Sequence, residues 1–275
     1  MRAWSEAETA RFLRVPGPAD DKRTRGVVAL RTGSARYPGA AVLGVEAAWR
    51  TGSGLVRYAG GAVEAVLARR PETVIGADGE NHVDAWVIGS GTDPADRTDA
   101  ERDALCAVLR GPTPVVVDAG ALDLVDGAAA PVVITPHAGE FGRLRARNGL
   151  DPHAASADGV RADQAAETAT LLGCVVLLKG ARTVVAAPDG TTILTGVAPG
   201  WLATAGTGDV LAGVLGALLA ANPGASLAET AASAAVLHAL AGSIASGARD
   251  GAPGHPIVAL DVAEALPSAV GELLA

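Results

Sequence analysis

The hexapeptide at residues 204–209, Thr-Ala-Gly-Thr-Gly-Asp, combines residue types that could carry out phosphoryl chemistry. Gly206 and Gly208 lack a Cβ, so the backbone can turn tightly there and approach a ligand closely. The apolar residues that follow have helical spacing. This predicts a helix N-terminus at the glycines, where free N–H groups and the helix dipole attract phosphate. Asp209 would repel that phosphate unless it had a task, such as taking a proton from a hydroxyl group during phosphorylation. The structural alternative is a helix cap, which Thr and Asp commonly provide.

Lysine is the second informative residue type. The chain contains 22 Lys and Arg residues, and the lysines among them are Lys22 and Lys179. Lys179 directly follows an apolar run, which places it at the end of a predicted strand. That position and the rarity of lysine favour a function for Lys179. The alternative is a side chain that extends from the rim of a sheet into solvent.

Four apolar runs that read as strands are each followed by polar residues or glycine. The runs are 85–88, 115–117, 132–134 and 175–178. Because ligands of an open α/β sheet bind beyond the carboxyl ends of its strands, we expect the segments after these runs to line one cleft. The segments are Gly-Ser-Gly-Thr at 89–92, Asp-Ala-Gly-Ala-Leu at 118–122, Thr-Pro-His-Ala-Gly-Glu-Phe at 135–141 and Lys-Gly-Ala-Arg-Thr at 179–183.

Each of these segments also has a structural interpretation. His137 could cap the following helix, and Glu140 could simply favour its first turn. Asp118 could be a turn residue, and the Gly-Ser-Gly segment at 89–91 could be a tight connection, because a lone G-x-G motif is weakly specific. His238 lies in an apolar helical pattern and is interpreted as structural.

Apolar β-type runs alternate with helical spacing over most of the chain. This pattern predicts an α/β fold with three layers, in which helices flank a mainly parallel central sheet. Further strands are predicted at 27–30, 55–58 and 73–75, and a hairpin at 183–187 and 191–195. Helices are predicted at 40–49, 99–109, 140–147, 158–172, 208–221, 227–246 and 262–274.

The composition describes a soluble globular protein with a substantial core. The 275 residues are 49% hydrophobic and 19% charged, and no long Pro/Gly/Ser linker interrupts them. We therefore expect one domain over residues 1–275, with residues 1–25 as an N-terminal extension of the same domain. The net charge of −8 argues against nucleic acid or an anionic membrane as the main partner.

The cellular compartment expected from the sequence is the cytoplasm. Residues 1–14 carry charges throughout and show no apolar segment typical of a signal peptide. No apolar run reaches the roughly 18 residues of a membrane span, and the run 210–221 is too short. Cys106 and Cys174 have no partners at metal-binding spacing, which is typical of buried thiols in a reducing compartment.

Taken together, these segments resemble a known family, the ADP-dependent NAD(P)H-hydrate dehydratases of the ribokinase-like superfamily. The matching segments are 37–41 (Tyr-Pro-Gly-Ala-Ala), 135–141, 178–180 (Leu-Lys-Gly), 204–213 and 259–267 (Ala-Leu-Asp-Val-Ala-Glu-Ala-Leu-Pro). They cover residues 26–275 in the order that the family has. The G-T-G-D element at 206–209 is shared across the superfamily, whereas T-P-H-x-G-E at 135–140 discriminates this family.

The resemblance implies a ribokinase-like fold and a repair reaction on damaged nicotinamide nucleotides. In that reaction the S-form of hydrated NADH or NADPH (NADHX or NADPHX) is dehydrated to NADH or NADPH. ADP, or alternatively ATP, is the co-substrate, and ADP is hydrolysed to AMP and phosphate. Mg²⁺ is expected to bridge the phosphates with few protein ligands, so no metal-binding residue is assigned.

The family's functional residues carry over to matching positions. Asp209 is implied as the base that deprotonates the C6 hydroxyl, and Gly206 and Gly208 as N–H donors to the transferring phosphate. The implied substrate-binding residues are Ala40, Gly91, His137 and Asp209. The implied nucleotide-binding residues are Lys179, Gly180, Ala181, Arg182, Thr183 and Gly208.

The sequence departs from the family pattern on the substrate side. A G-G-S-like turn is replaced by Arg-Thr-Gly-Ser at 31–34, and a G-P-G-L-G-like loop by Gly-Ser-Gly-Thr-Asp at 89–93. The family's basic stretch before the first strand is loosely matched by residues 22–26. Asp93 would lie unfavourably near a dinucleotide phosphate. These changes affect the expected substrate contacts more than the expected phosphoryl transfer.

Two other function classes remain open at the level of sequence. One is a small-molecule kinase of the same fold, acting on a vitamin precursor or a sugar; it would share residues 206–209. The other is a nucleotide-binding protein that has lost catalysis, which the altered loop at 89–93 suggests. For the dehydratase, the expected partners are NADHX, NADPHX and ADP, with a separate NAD(P)H-hydrate epimerase in the same pathway. Ala- and Leu-rich helical faces further suggest a homo-oligomer, expected as a tetramer.

Overall fold

A computed structural model of the protein describes residues 1–76, 82–153 and 155–275. These residues form one sheet of ten strands in the order β1-β10-β9-β8-β7-β6-β5-β2-β3-β4. The strands are β1 (Arg2–Ala3), β2 (Val27–Arg31), β3 (Leu55–Tyr58), β4 (Val74–Ile75), β5 (Ala85–Ile88), β6 (Val115–Val117), β7 (Val132–Ile134), β8 (Val175–Leu178), β9 (Arg182–Ala186) and β10 (Thr192–Val197).

The helices of the described residues flank this sheet. They are α1 (Glu6–Ala10), α2 (Pro38–Arg50), α3 (Val63–Arg69), α4 (Asp99–Arg110), α5 (Ala138–Arg147), α6 (Asp158–Leu172), α7 (Thr207–Ala221), α8 (Leu227–Ser246) and α9 (Ala259–Leu273). Short 3₁₀ helices occupy Ala119–Leu124 and Gly200–Leu202.

The sheet is mainly parallel, as predicted. The pairs from β4 across to β8 are parallel, whereas β9 runs antiparallel to both β8 and β10. The strands β5, β6, β7 and β8 therefore end at the same edge of the sheet. The residues after them lie where an open α/β sheet binds ligands.

Two hydrophobic cores confirm the three layers. Alternate residues of a strand face opposite sides of the sheet. Val116 accordingly packs in the core that contains residues of α2, α7, α8 and α9. Val115 and Val117 pack in the other core, with residues of α4, α5 and α6. Strands covered on both faces are expected to be continuously apolar, and this explains why β6, β7 and β8 were predictable.

Helix α7 lies close to its neighbours because two of its positions are glycine. A Cβ on Gly213 would overlap the carbonyl oxygen of Gly44 in α2. A Cβ on Gly216 would overlap the Val87 side chain in β5. Absent side chains thus let α7 pack directly on both α2 and the sheet.

Several element boundaries agree with the sequence prediction and others differ for identifiable reasons. The strands β3, β5, β7 and β8 and the helices α6 and α8 have the predicted bounds. Helix α2 begins earlier than residue 40 because Pro38 is suited to the first helical turn. Helix α9 begins at Ala259 rather than residue 262, where the Asp261 carboxylate accepts the N–H of Val258 at 2.8 Å.

The first residues of the chain form elements that were not predicted. Strand β1 pairs in parallel with β10, and α1 packs against α8 and α9. Ser5 and Glu8 form a capping box at α1, and this S-x-x-E pattern is the sequence signal that could have predicted the helix. Helix α3 was also missed, because its seven residues give only a weak apolar stripe.

Helix α8 qualifies the sequence prediction that no apolar run is long enough to span a membrane. The helix has 20 residues and contains an 18-residue window with a mean hydropathy of 1.3, which is long and apolar enough to cross one. However, 67% of the apolar window is buried inside the protein, as expected for a core helix.

Candidate active site

The first turn of α7 has the geometry that the hexapeptide predicts. Gly206 is the N-cap residue and has a φ of 91°, a left-handed conformation that other residues rarely adopt. A Cβ there would lie 2.7 Å from Leu43 Cδ1 and 3.0 Å from Ala259 Cβ, so a side chain would also require its neighbours to shift. Thr207 Oγ1 donates to the carbonyl oxygens of Leu202 at 2.9 Å and Thr204 at 3.0 Å. The first N–H groups of a helix have no intrahelical acceptor, so this turn is a site for an anion.

A cavity of about 520 Å³ opens beside this turn. Of the residues predicted to bind the nucleotide, it is lined by Lys179, Gly180, Ala181, Thr183 and Gly208. Its other lining residues include Thr195, Thr207, Leu211 and His238, which the sequence analysis did not propose as ligands. A volume of this size is typical of small-molecule sites.

Arg182 and Asp209 are not lining residues of this cavity. The Arg182 side chain is 44% exposed, with its Nε 3.8 Å from Asp158 Oδ2. Asp209 follows Gly208 in the first turn of α7 and is partly buried. If Asp209 acts as the predicted base, the hydroxyl group that it deprotonates must be bound beside this cavity and not inside it.

Two predicted substrate residues, Ala40 and Gly91, lie together on the α2 side of α7. A Cβ on Gly91 would overlap the Ala40 Cβ, so the first turn of α2 packs directly on the loop after β5. A Cβ on Gly44, one turn further along α2, would lie 3.7 Å from the Asp209 carbonyl oxygen. Ala40 and Gly91 therefore lie on a different side of α7 from the cavity described above.

His137 caps the N-terminus of α5, as its structural interpretation predicted, and it also lines the cavity. Its Nδ1 accepts the N–H of Gly139 at 3.0 Å, and Glu140 accepts the N–H of His137 at 2.9 Å. The side chain is nevertheless 55% exposed and belongs to the cavity lining. The cap engages Nδ1, while Nε2 lies 3.5 Å from Glu140 Oε2 and is the ring nitrogen that could still meet a ligand.

A cluster of charged residues follows the strands at the same edge of the sheet. Lys179 Nζ lies 3.0 Å from Asp118 Oδ1 and 3.9 Å from Glu140 Oε2. Asp118 is only 2% exposed and also accepts hydrogen bonds from Ser90 and Thr135. From the sequence, Asp118 belongs to a segment expected to line the cleft, with a turn residue as the alternative, and no catalytic or binding role is assigned to it. An acid directly after a fully buried strand is the signal that could have singled it out.

These neighbours perturb the protonation of the acid and the lysine. Burial raises the pKa of Asp209 to about 7, and the negative charges of Asp118 and Glu140 raise it while Lys179 lowers it. Burial alone would lower the pKa of Lys179, but the charges of Asp118, Glu140 and Asp209 raise it above the ordinary value. Asp209 can therefore take up a proton near neutral pH, and Lys179 remains a cation.

His238 is buried in α8 against the cavity, as expected of a structural residue. Its Nε2 has no hydrogen-bond partner among the described residues. Burial lowers the pKa of His238 to about 4, so the ring is neutral at physiological pH. The apolar helix around it explains why the sequence gave no functional signal for this position.

The described residues contain no group of three or more His, Cys, Asp or Glu placed to hold a metal ion. Asp118 and Glu140 instead face the Lys179 ammonium. This arrangement fits a Mg²⁺ that arrives with a nucleotide and takes its ligands from phosphate oxygens and water. It does not provide a metal cage made by the protein.

Comparisons with known proteins agree with this geometry. A family model described as NAD(P)H-hydrate dehydratase matches residues 28–254. A Bacillus subtilis protein named ADP-dependent (S)-NAD(P)H-hydrate dehydratase is 33% identical over 225 residues, which cover 77% of this chain and 79% of that protein. A crystal structure of the ADP/ATP-dependent enzyme from Bacillus subtilis, co-crystallised with ATP/Mg²⁺, superimposes with a TM-score of 0.84 at 29% identity. That superposition covers 99% of this chain and 98% of the other.

Other relatives are longer. The bifunctional NAD(P)H-hydrate repair enzyme of Mycobacterium tuberculosis is 45% identical over 219 residues, which are 76% of this chain but 44% of that enzyme. The chain thus spans about half the length of the bifunctional relatives it matches. On the match over residues 28–254, this chain belongs to the NAD(P)H-hydrate dehydratase family, with the ribokinase-like fold of its structural neighbours.

Proposed function

We propose that the protein dehydrates the S-form of NADHX or NADPHX to NADH or NADPH, with hydrolysis of ADP to AMP and phosphate. The observation that carries this proposal is the placement of Asp209. A carboxyl group with a pKa of about 7 lies in the first turn of the helix that would bind phosphate. A general base works best when its pKa is close to the working pH.

In the proposed reaction, Asp209 takes the proton of the C6 hydroxyl while the hydroxyl oxygen attacks the terminal phosphorus of ADP. The bond from that phosphorus to the bridging oxygen breaks, and AMP leaves. The new phosphate ester then departs from C6 as inorganic phosphate, driven by the lone pair of the ring nitrogen. Loss of a proton from C5 completes the dihydronicotinamide ring. Water is thus removed from the substrate at the expense of one phosphoanhydride bond.

The other residues would position the two ligands. The N–H groups at Gly206 and Gly208 would donate to the transferring phosphoryl group, and Lys179 would balance its charge. The nucleotide would be bound from the turn between β8 and β9 and the start of β9 by Gly180, Ala181, Arg182 and Thr183. Ala40, Gly91 and His137 would contact the hydrated dinucleotide. Asp93 Oδ1 accepts the N–H of Ala95 at 2.9 Å, so this oxygen is engaged within its own loop.

The remaining properties are proposed on the same basis. Mg²⁺ would bridge the phosphates, and ADP is preferred to ATP as the donor. We expect the protein to act in the cytoplasm as a homo-oligomer, in the form of a tetramer. Apolar side chains at the sheet edge, Val74 and Ile75, are exposed and available for such contacts. An NAD(P)H-hydrate epimerase would act in the same pathway, as the bifunctional relatives suggest.

The decisive experiment is the recovery of dihydronicotinamide absorbance when the protein is mixed with hydrated NADH, Mg²⁺ and either ADP or ATP. Recovery that needs one nucleotide would establish the dehydratase and identify the donor. Asp209→Asn is expected to bind ADP normally and to turn over at least about 100-fold more slowly, the usual cost of losing a general base. Near-normal turnover would exclude Asp209 as the base. ADP binding without any recovery would instead favour a small-molecule kinase.

His137→Ala tests the substrate side. We expect it to raise the KM for hydrated NADH severalfold more than the KM for ADP, because the ring would contact the dinucleotide through Nε2. The two constants are measured in the same absorbance assay, and thermal unfolding shows whether the lost cap has destabilised α5. Equal changes in both constants would place His137 outside the substrate site.

A further inference from the structure

Asp118 joins the ends of four neighbouring strands. It follows β6, and its carboxylate accepts hydrogen bonds from the residues that follow β5, β7 and β8. Ser90 Oγ donates to Oδ2 at 2.9 Å; Thr135 Oγ1 at 2.8 Å and Lys179 Nζ at 3.0 Å both donate to Oδ1. A buried carboxylate is costly unless it is paired and hydrogen-bonded, and these donors meet that requirement.

Lys179 is held at both ends of its side chain. Its backbone N–H donates to the carbonyl oxygen of Pro136 at 2.9 Å, which fixes the start of the side chain. Its ammonium lies so near the first turn of α7 that a Cβ on Gly208 would be 3.2 Å from Nζ. A lysine side chain has a flexible four-carbon stem, so such a position requires an anchor.

Asp118 is the better anchor of the two acids near Lys179. Its oxygen is at hydrogen-bond distance, whereas the nearest oxygen of Glu140 is 3.9 Å away. Glu140 is also used in capping α5. The same carboxylate holds Ser90, whose carbonyl oxygen accepts the N–H of Gly33 at 2.7 Å. Asp118 therefore connects the loop that carries Gly91 to the lysine beside α7.

We propose that Asp118 is a positioning residue that holds the Lys179 ammonium at the phosphate-binding turn of α7. The effect of this positioning on catalysis rests on the proposed function. Asp118 touches no reacting atom itself and acts through Lys179. Its own negative charge lies on the side of the site where phosphate would bind. Removing that charge should therefore leave ground-state binding of ADP intact or tighter, while the transition state loses a fixed cation.

The two lysines of the chain allow a direct test by NMR of protein labelled with ¹⁵N-lysine. Lys22 is exposed and serves as the internal reference. We expect a slowly exchanging ammonium signal from Lys179 that shifts when ADP and Mg²⁺ are added. Asp118→Asn should abolish the slow exchange and make the signal resemble that of Lys22. Asp123→Asn is the matched control, because Asp123 lies on the same segment and pairs with Arg97 at 2.8 Å.

An unchanged Lys179 signal in Asp118→Asn would overturn the proposal. So would a loss of slow exchange of equal size in Asp123→Asn, since that would indicate general loosening of the segment. If Asp118→Asn does not fold, Ser90→Ala removes one donor and keeps the charge. It should then accelerate the exchange of the Lys179 ammonium partially, and no acceleration would count against the network.

Turnover provides the second readout. Asp118→Asn is expected to lower kcat at least about tenfold without raising the KM for ADP. In a Lys179→Gln background the same change should lower kcat by less than about twofold, because residues that act as a unit are not additive. If Asp118→Asn lowered kcat by the same factor with and without Lys179→Gln, the proposal would be overturned. If the unaltered protein does not convert hydrated NADH, the proposed function fails, and the NMR result still decides whether Asp118 holds Lys179.

Discussion

Two acids of this protein, the buried Glu46 in α2 and the partly buried Asp209 in α7, have opposite electrostatic environments. Glu46 is completely buried and is contacted by Arg50, Arg69 and Arg70. Burial would raise the pKa of Glu46, but the hydrogen bonds from these arginines hold it at about 2. Asp209 is near a single lysine and two further acids, and burial raises its pKa to about 7.

The difference shows how charge balance separates a structural acid from a candidate catalytic one. At Glu46 the cations outnumber the acid, so the carboxylate stays ionised and ties α2 to α3. At Asp209 the acids outnumber the cation, so ionisation opposes stability and the group can exchange a proton near neutral pH. Strongly perturbed acids in a cleft are candidates for function, whereas a fully paired buried acid is explained by structure alone.

Replacing Glu46 tests the structural half of this comparison and should have the largest effect on stability. Glu46→Gln removes the buried counter-charge of three partly exposed arginines, two of which keep a second acid. The loss should be about 1.5–3 kcal/mol, the usual range for hydrogen bonds to a charged group. Urea unfolding at pH 7 measures the loss. Because the folded pKa lies below the ordinary value of 4.5, the contribution is present above that pH. It is lost as the pH falls towards about 2. A loss below about 1 kcal/mol at pH 7 would contradict the comparison.

Replacing Asp209 should raise the free energy of unfolding, whereas replacing Glu46 lowers it. The folded pKa of about 7 lies above the ordinary value of 3.8, so Asp209 costs stability progressively as the pH rises from about 3.8, and the full cost is reached above about 7. Asp209→Asn removes that charge and should stabilise the protein at pH 8 by at least about 1 kcal/mol. The gain should disappear near pH 4, where the acid is protonated. Thermal unfolding of both proteins across this range is the measurement, and a gain that does not depend on pH would refute the electrostatic cause.

An exposed ion pair gives the smallest expected effect and a useful reference. Arg249 and Glu272 form a pair whose side chains are 40% and 41% exposed. Solvent screens such pairs, so Glu272→Gln should leave the urea concentration at the unfolding midpoint almost unchanged. If Glu272→Gln destabilised the protein as much as Glu46→Gln, the contribution of an ion pair to stability would depend on pairing alone and not on burial. Urea unfolding under the same conditions compares the two variants.

Much of the fold could be predicted from the sequence because apolar runs mark strands that are buried on both faces. The run 132–134 and the run 175–178 gave β7 and β8 with their observed bounds. The candidate site was predictable where backbone geometry is tied to residue type, as at Gly206. It was not predictable where a role depends on several distant residues. Asp118 acquires its position from Ser90, Thr135 and Lys179, which become neighbours only when the strands are aligned.

The glycines of α7 have a consequence for motion in this protein. Because Gly213 and Gly216 bring the helix into contact with α2 and β5, the helix has no free space in which to slide or tilt. Amide hydrogens in the middle of α7 should therefore be among the slowest in the molecule to exchange with deuterated solvent. Asp209 lies in the first turn of this helix, so the same packing should hold its backbone in one position.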